Sequence, residues 1–121
     1  IRISVFISPS DMQPSVFYKC LADDTRLRLL LLLVDQKRLC VCDLHEALDI
    51  SQPKASRHLA DLRKCGLVLD EREGRWMYYR LHPELPEWAR DVIRFTKAAN
   101  ADCIRECEVR LNRFRICEDD E

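Results

Sequence analysis

The sequence predicts a mainly α-helical domain interrupted by one β-hairpin, and three observations carry that expectation. Leu27, Leu30, Leu31 and Val34 recur at i, i+3, i+4 and i+7, the spacing of a buried helix stripe. Two short amphipathic stretches on either side of Asp49-Ile50 leave room only for a tight turn between helices. Two alternating runs, residues 67–73 and 75–81, flank Gly74, as a hairpin turn requires.

The elements follow in order. Pro14 opens a short first helix over residues 15–21, since proline is tolerated in a first turn. Asp23 and Asp24 start the second, and residues 36–39 read as a polar connector. A third short helix follows Cys40 and turns Leu44, Ala47 and Leu48 inward. Ser51 is a good N-cap for a fourth, with Ala55, Leu59 and Leu62 on one side and Lys54, Ser56, Arg57 and His58 on the opposite or flanking faces. Gly66 ends it as a C′ residue in the left-handed region. Pro83 and Pro86 then break the chain before a long helix whose stripe is Trp88, Val92, Phe95 and Ala99, with Cys103 expected to continue it.

A chain of 121 residues fits one domain, 47% hydrophobic and 34% charged, as soluble globular proteins are. Residues 1–12 read as a leader or added segment lacking the charged start of a signal peptide, residues 13–110 as the domain, and residues 111–121 as a cysteine-containing acidic tail. No apolar run reaches the roughly 18–20 residues that span a bilayer, so no membrane partner is expected. The net charge of −1 hides an asymmetry: residues 51–82 carry seven Lys/Arg against four acids, while residues 118–121 are all acidic. A local basic face of this kind can bind phosphate on a near-neutral protein. Seven cysteines, an odd number with ample Leu, Val and Ile for a core, argue against a disulfide scaffold and for reduced thiols in the cytoplasm.

Two short helices, a tight turn and a following hairpin make a winged helix-turn-helix. Its second helix would enter the major groove of double-stranded DNA with Ser51, Gln52, Lys54, Ser56, Arg57 and His58, while Arg72, Arg75 and Arg80 flank the backbone. A solvated helix face is the bland alternative for those residues, and the adjacent basic wing weighs against it.

Four stretches resemble the ArsR/SmtB family of metalloregulatory repressors over residues 16–88. They are Cys20-Leu-Ala-Asp-Asp-Thr-Arg-Leu-Arg28, Leu39-Cys-Val-Cys-Asp-Leu44, Ser51-Gln-Pro-Lys-Ala-Ser-Arg-His-Leu59 and the wing Arg72-Glu-Gly-Arg-Trp-Met-Tyr-Tyr-Arg-Leu81. The Cys-Val-Cys-Asp-Leu motif points to the arsenite-responsive branch. The resemblance implies a homodimer on a pseudo-palindromic operator that represses an arsenic-resistance operon and leaves the DNA when inducer binds. It also implies a dimer interface built from the first and last helices, into which the Trp88, Val92, Phe95 and Ala99 stripe fits.

Cys40 and Cys42 are the expected inducer ligands. Soft thiolates select soft centres, and As(III) or Sb(III) takes three sulfurs in a pyramid. A helix start favours thiolate through its unpaired N–H groups and dipole. Residues i and i+2 point about 200° apart on a regular helix, so both thiols reach one ion only if Cys40 lies at the frayed end or the first turn unwinds. In arsenite repressors of this type a third cysteine follows three residues later, where this chain has His45. Imidazole suits Zn(II) or Cd(II) better than arsenite, so a divalent-metal repressor is the alternative. The family's zinc pattern in the last helix is missing, because no histidine follows His82, and its cadmium/lead pattern lacks cysteines before Cys20. Cys103 and Cys107, four apart and expected on one helix face, with Cys117 beyond, could form a second site, a redox pair or a third ligand across the dimer. Cys20 and Cys65 read as core. An enzyme is not expected, since neither glycine places an oxyanion loop beside a suitable cysteine.

Overall fold

A computed structural model describes residues 11–113. Helix α1, Pro14–Leu21, turns Phe17 and Cys20 inward, three residues apart. Helix α2, Asp24–Leu33, is capped by Asp23, whose carboxylate accepts the Arg26 N–H at 3.0 Å. Residues 29–33 are all buried leucines. The second half of the helix is therefore apolar all round where a one-sided stripe was expected, the signature of a segment enclosed by its neighbours, while Asp24, Arg26 and Arg28 keep the first half polar. Met12 also packs into this core.

After α2 comes a difference from the expected connector. Leu39–Cys40 forms a short strand, β1, antiparallel to the hairpin, with Leu39 opposite Tyr79 and Cys40 opposite Tyr78. Both residues are buried, and buried backbone must find hydrogen-bond partners; the free edge of the hairpin supplies them. Helix α3, Val41–Leu48, begins immediately afterwards and ends at Asp49, which takes the left-handed conformation at φ 58°. Helix α4, Gln52–Lys64, starts on Ser51, whose hydroxyl accepts the Lys54 N–H at 3.2 Å. Ala55, Leu59 and Leu62 are fully buried beneath it.

The wing is β2, Val68–Glu73, and β3, Trp76–Leu81, in the sheet order β1-β3-β2. Glu73 pairs with Trp76 across a two-residue loop whose first position is Gly74 at φ 62°, a conformation that glycine adopts without a Cβ penalty. Helix α5, Glu87–Ala99, buries Ala89 and Ile93, and Trp88 meets Phe17 edge-on at 5.0 Å.

The long last helix of the sequence reading is broken. It stops at Asn100, passes through a 3-10 turn, Ala101–Ile104, and restarts as α6, Arg105–Arg113, which folds back onto α3. Cys103 therefore does not continue the Ala99 stripe, and Cys103 and Cys107 do not share one uninterrupted helix face. The reversal is held by arginines reaching backbone carbonyls: Arg28 of α2 donates to Cys103 and Arg110 of α6 donates to Ala47 at 2.8 Å.

A candidate thiol switch and nucleic-acid interface

The short strand β1 and the start of α3 place the Cys-Val-Cys motif. Cys40 is the N-cap of α3, in extended conformation at φ −74° and ψ 150°, and its Sγ accepts the Cys42 N–H at 3.4 Å. The first cysteine thus stands outside the regular helix, the condition under which thiols two residues apart can turn toward one centre. Cys40 is fully buried and Cys42 half-buried, so approach is from the Cys42 side. Asp43 follows Cys42 in the first turn of α3, 2% exposed, where the helix dipole favours a carboxylate.

His45 is half-buried one turn on, and its Nδ1 faces the Ile50 carbonyl at 3.2 Å. That contact suits an Nδ1–H donor and leaves Nε2 with its lone pair, the tautomer that metal-binding histidines commonly use. Among the described residues, no group of three or more His, Cys, Asp or Glu is already arranged around a common metal position. Cys103 is half-buried in the 3-10 turn, and Cys107 is buried in α6 beside Arg110, whose Nη2 is 4.0 Å from its Sγ. Cys117 lies outside the described residues.

Helix α4 and the wing form a cationic face. Ser51, Gln52, Lys54 and Arg57 are exposed along the first two turns of α4, with Ser56 half-buried. Arg72 and Arg75 are exposed at the wing tip. Other arginines are occupied: Arg38 pairs with Glu71 and Glu73, Arg63 with Asp70, and Arg80 with Glu71 at 3.4 Å. Among the described residues no carboxylate lies within ion-pair distance of Lys54, Arg57, Arg72 or Arg75. His58 departs from that face. Its Nδ1 is 3.8 Å from Asp23, on the side of α4 that packs toward α2. The Arg26 N–H, and to a lesser extent His58, hold the Asp23 carboxyl below the usual carboxylate range.

The outward side of α5 is apolar. Trp88 is 38% exposed and Phe95 76% exposed, with Val92 half-buried and Ala99 open beside them. Val92 and Phe95 line a shallow groove shared with Asp91, Arg94, Thr96 and Ala98.

Cys20 lies in the core as expected and Cys65 packs partly buried against it, but the two are not separate thiols: they form a disulfide between α1 and the end of α4. Sequence separation of 45 residues hid the pair, because nothing in the local patterns sets α1 against the C-cap of α4. The ion pairs Asp23 to His58 and Arg26 to Asp61 were hidden for the same reason.

Comparison with known proteins agrees with this architecture. Residues 23–69 match the family model described as bacterial regulatory protein, arsR family. The arsenic resistance transcriptional regulator ArsR1 of Pseudomonas putida is 48% identical over 100 residues, covering 83% of this chain and 78% of the relative. The arsenical resistance operon repressor of Escherichia coli is 55% identical over 84 residues, covering 69% and 72%. In structure, the homodimeric winged helix-turn-helix DNA-binding domain of a possible ArsR-family regulator from Mycobacterium bovis superposes with a TM-score of 0.60 at 28% identity, covering 73% of this chain and 78% of that one. A winged helix-turn-helix with a cationic face, matched at about half identity by arsenic resistance regulators, has one classification: the chain belongs to the arsR family of bacterial regulatory proteins.

Proposed function

We propose that this chain is a cytoplasmic repressor of an arsenic-resistance operon, binding a pseudo-palindromic operator as a homodimer and released when As(III) or Sb(III) is captured by Cys40 and Cys42. The observation that carries the reading is the N-cap position of Cys40. Its extended backbone lets its sulfur and that of Cys42 meet one soft centre without unwinding a whole turn. The names of the relatives from Pseudomonas putida and Escherichia coli support arsenic as the stimulus. In this reading ligand capture displaces α3, and α3 packs on α4. A ligand that binds the moved conformer better shifts the population away from the one that fits DNA.

Lys54, Arg57, Arg72 and Arg75 contact phosphates in this reading, and Ser51, Gln52 and Ser56 lie near base edges. Trp88, Val92, Phe95 and Ala99 face the partner subunit. Operator release titrated with arsenite, antimonite, Cd(II) and Zn(II), in the parent and in Cys40→Ser/Cys42→Ser, tests the switch. Loss of the arsenite response in the double variant is the expected result; an unchanged arsenite concentration for release rejects the assignment.

The hydrogen bond from His45 Nδ1 to the Ile50 carbonyl favours a second reading, in which Nε2 joins the two thiolates on Cd(II) or Zn(II). In that case His45→Ala abolishes the response to the divalent ions and leaves the arsenite response in place.

A further inference from the structure

The face of α4 opposite its reading residues carries a feature that inducer capture does not use. His58, Asp61 and Cys65 stand at i, i+3 and i+7, one stripe along the helix. Each reaches the α1–α2 junction: His58 faces Asp23 at 3.8 Å, Asp61 faces Arg26 at 3.8 Å, and Cys65 is bonded to Cys20. Arg26 also donates through Nε to the Cys20 carbonyl at 2.8 Å, so the ionic and covalent contacts share one hub. Two of these ties are partly exposed ion pairs, individually weak. The third is covalent and reversible.

We propose that Cys20 and Cys65 form a redox-modification site, a dithiol whose oxidation locks the recognition helix α4 onto the α1–α2 junction. The proposal rests on the DNA-binding reading of α4 and adds a second input to it. The Cα atoms are 7.1 Å apart, beyond the roughly 4.4–6.8 Å that disulfides usually span, so bonding draws the backbone of α1 against the end of α4. Hydrogen peroxide is the oxidant. Cys65, half-buried at the C-cap, is the accessible sulfur; its thiolate attacks the peroxide, forming an S–O bond as the O–O bond breaks and water leaves. The Cys20 thiol, buried beside it, then attacks the sulfenyl sulfur, forming the S–S bond and releasing a second water. Two electrons pass from the two sulfurs to one peroxide.

A recognition helix held in one pose loses less freedom on meeting DNA, so the disulfide form binds operator more tightly. The same restraint resists displacement of α4 when α3 moves, so more inducer is needed for release. The test uses the full chain, reduced with a phosphine and desalted, or oxidised with hydrogen peroxide, and a labelled duplex from upstream of its own reading frame. Expected are a mass loss of two hydrogens mapped to the Cys20 and Cys65 peptides, slower amide exchange over residues 58–65, operator affinity higher by at least about fivefold, and a higher arsenite concentration for release.

Cys65→Ser, a mild change at a half-buried cap, removes all four effects. Cys20→Ala/Cys65→Ala does the same if Cys65→Ser fails to fold. Oxidation mapped to Cys103 and Cys107 instead, unchanged exchange over 58–65, or operator affinity equal or lower in the disulfide form overturns the proposal. If neither redox form binds the duplex while exchange over 58–65 still slows, the repressor reading falls and the lock stands.

Discussion

Cys40 caps α3 in the structure and is the proposed inducer ligand, and two substitutions separate the two roles. Its side chain is fully buried and its Sγ accepts the Cys42 N–H at 3.4 Å. Cys40→Ala leaves that N–H without its cap. Sulfur is a weak acceptor, so the loss lies near the low end of N-cap values, about 0.5–1 kcal/mol. Removing the sulfur also leaves a void of about one methylene in a packed core, costing about 1 kcal/mol more. The sum is about 1.5–2 kcal/mol, a shift in urea midpoint of roughly 1 M for a protein of this size. Cys40→Ser puts back an oxygen that caps well, so its cost stays below about 1 kcal/mol. The ligand role orders the variants differently: neither alanine nor serine offers a thiolate, so both lose arsenite-driven release. Urea unfolding and arsenite titration of the operator complex, run on the same preparations, read the two roles. If serine destabilises as much as alanine, the cap is unimportant; if either variant releases operator at the parent's arsenite concentration, Cys40 is not a ligand.

Other parts of the structure give further expectations. Phe95→Glu places a charge on the exposed stripe of α5; with about 1.5–3 kcal/mol for each buried Phe and two per symmetric interface, the dimer dissociation constant rises at least about 100-fold by sedimentation. A chain that stays dimeric at the parent's concentration puts the interface elsewhere. Arg57→Ala and Arg72→Ala each lower the slope of log affinity against log salt by about 0.9 if each neutralises one phosphate. Asp23→Ala removes the cap of α2 and costs about 1 kcal/mol, whereas Asp23→Asn keeps an acceptor for the Arg26 N–H. The folded-state pKa of Asp23 is lowered, chiefly by that N–H, so its contribution is complete above the unfolded value of about 3.9 and fades as pH falls through the folded value. The stability gap between parent and Asp23→Asn, measured in urea, should therefore narrow below about pH 4; a gap that widens in acid contradicts the assignment.

Local signals placed most of the fold. Asp23, Ser51, Gly66 and Gly74 each act within a few residues, and each sits at the helix cap or turn its chemistry predicts. Three features escaped because their causes are remote in sequence. Leu39 looks like the end of a connector and Cys40 like a helix start alone until Tyr78 and Tyr79 arrive to pair with them. The break at Asn100 has no proline or glycine to announce it; the chain reverses where Arg28 and Arg110 reach backbone carbonyls from other elements. Cys20 and Cys65 each lie in a helical packing pattern, and their meeting depends on how α1 docks on α4. The thiol motif was legible for the opposite reason: cap, sulfur spacing and helix start all fall within three residues.

Strand β1 explains how capture at so local a motif could reach two DNA-binding elements together. Cys40 is at once the last residue of β1, opposite Tyr78 of the wing, and the cap of α3, which packs on α4. No flexible spacer separates the sulfur from either element. In the proposed capture, a ligand that holds the Cys40 sulfur beside Cys42 also pulls on residue 40, whose backbone is part of the β1–β3 pairing. Tyr78 is fixed from its other face by the Arg38 guanidinium 3.8 Å above its ring, and Arg38 in turn pairs with Glu71 and Glu73 of β2. In this reading the pull passes through both wing strands toward Arg72 and Arg75, and through α3 to α4. A two-residue strand with few ladder bonds yields at modest cost, which lets a single soft ligand disturb helix and wing at once.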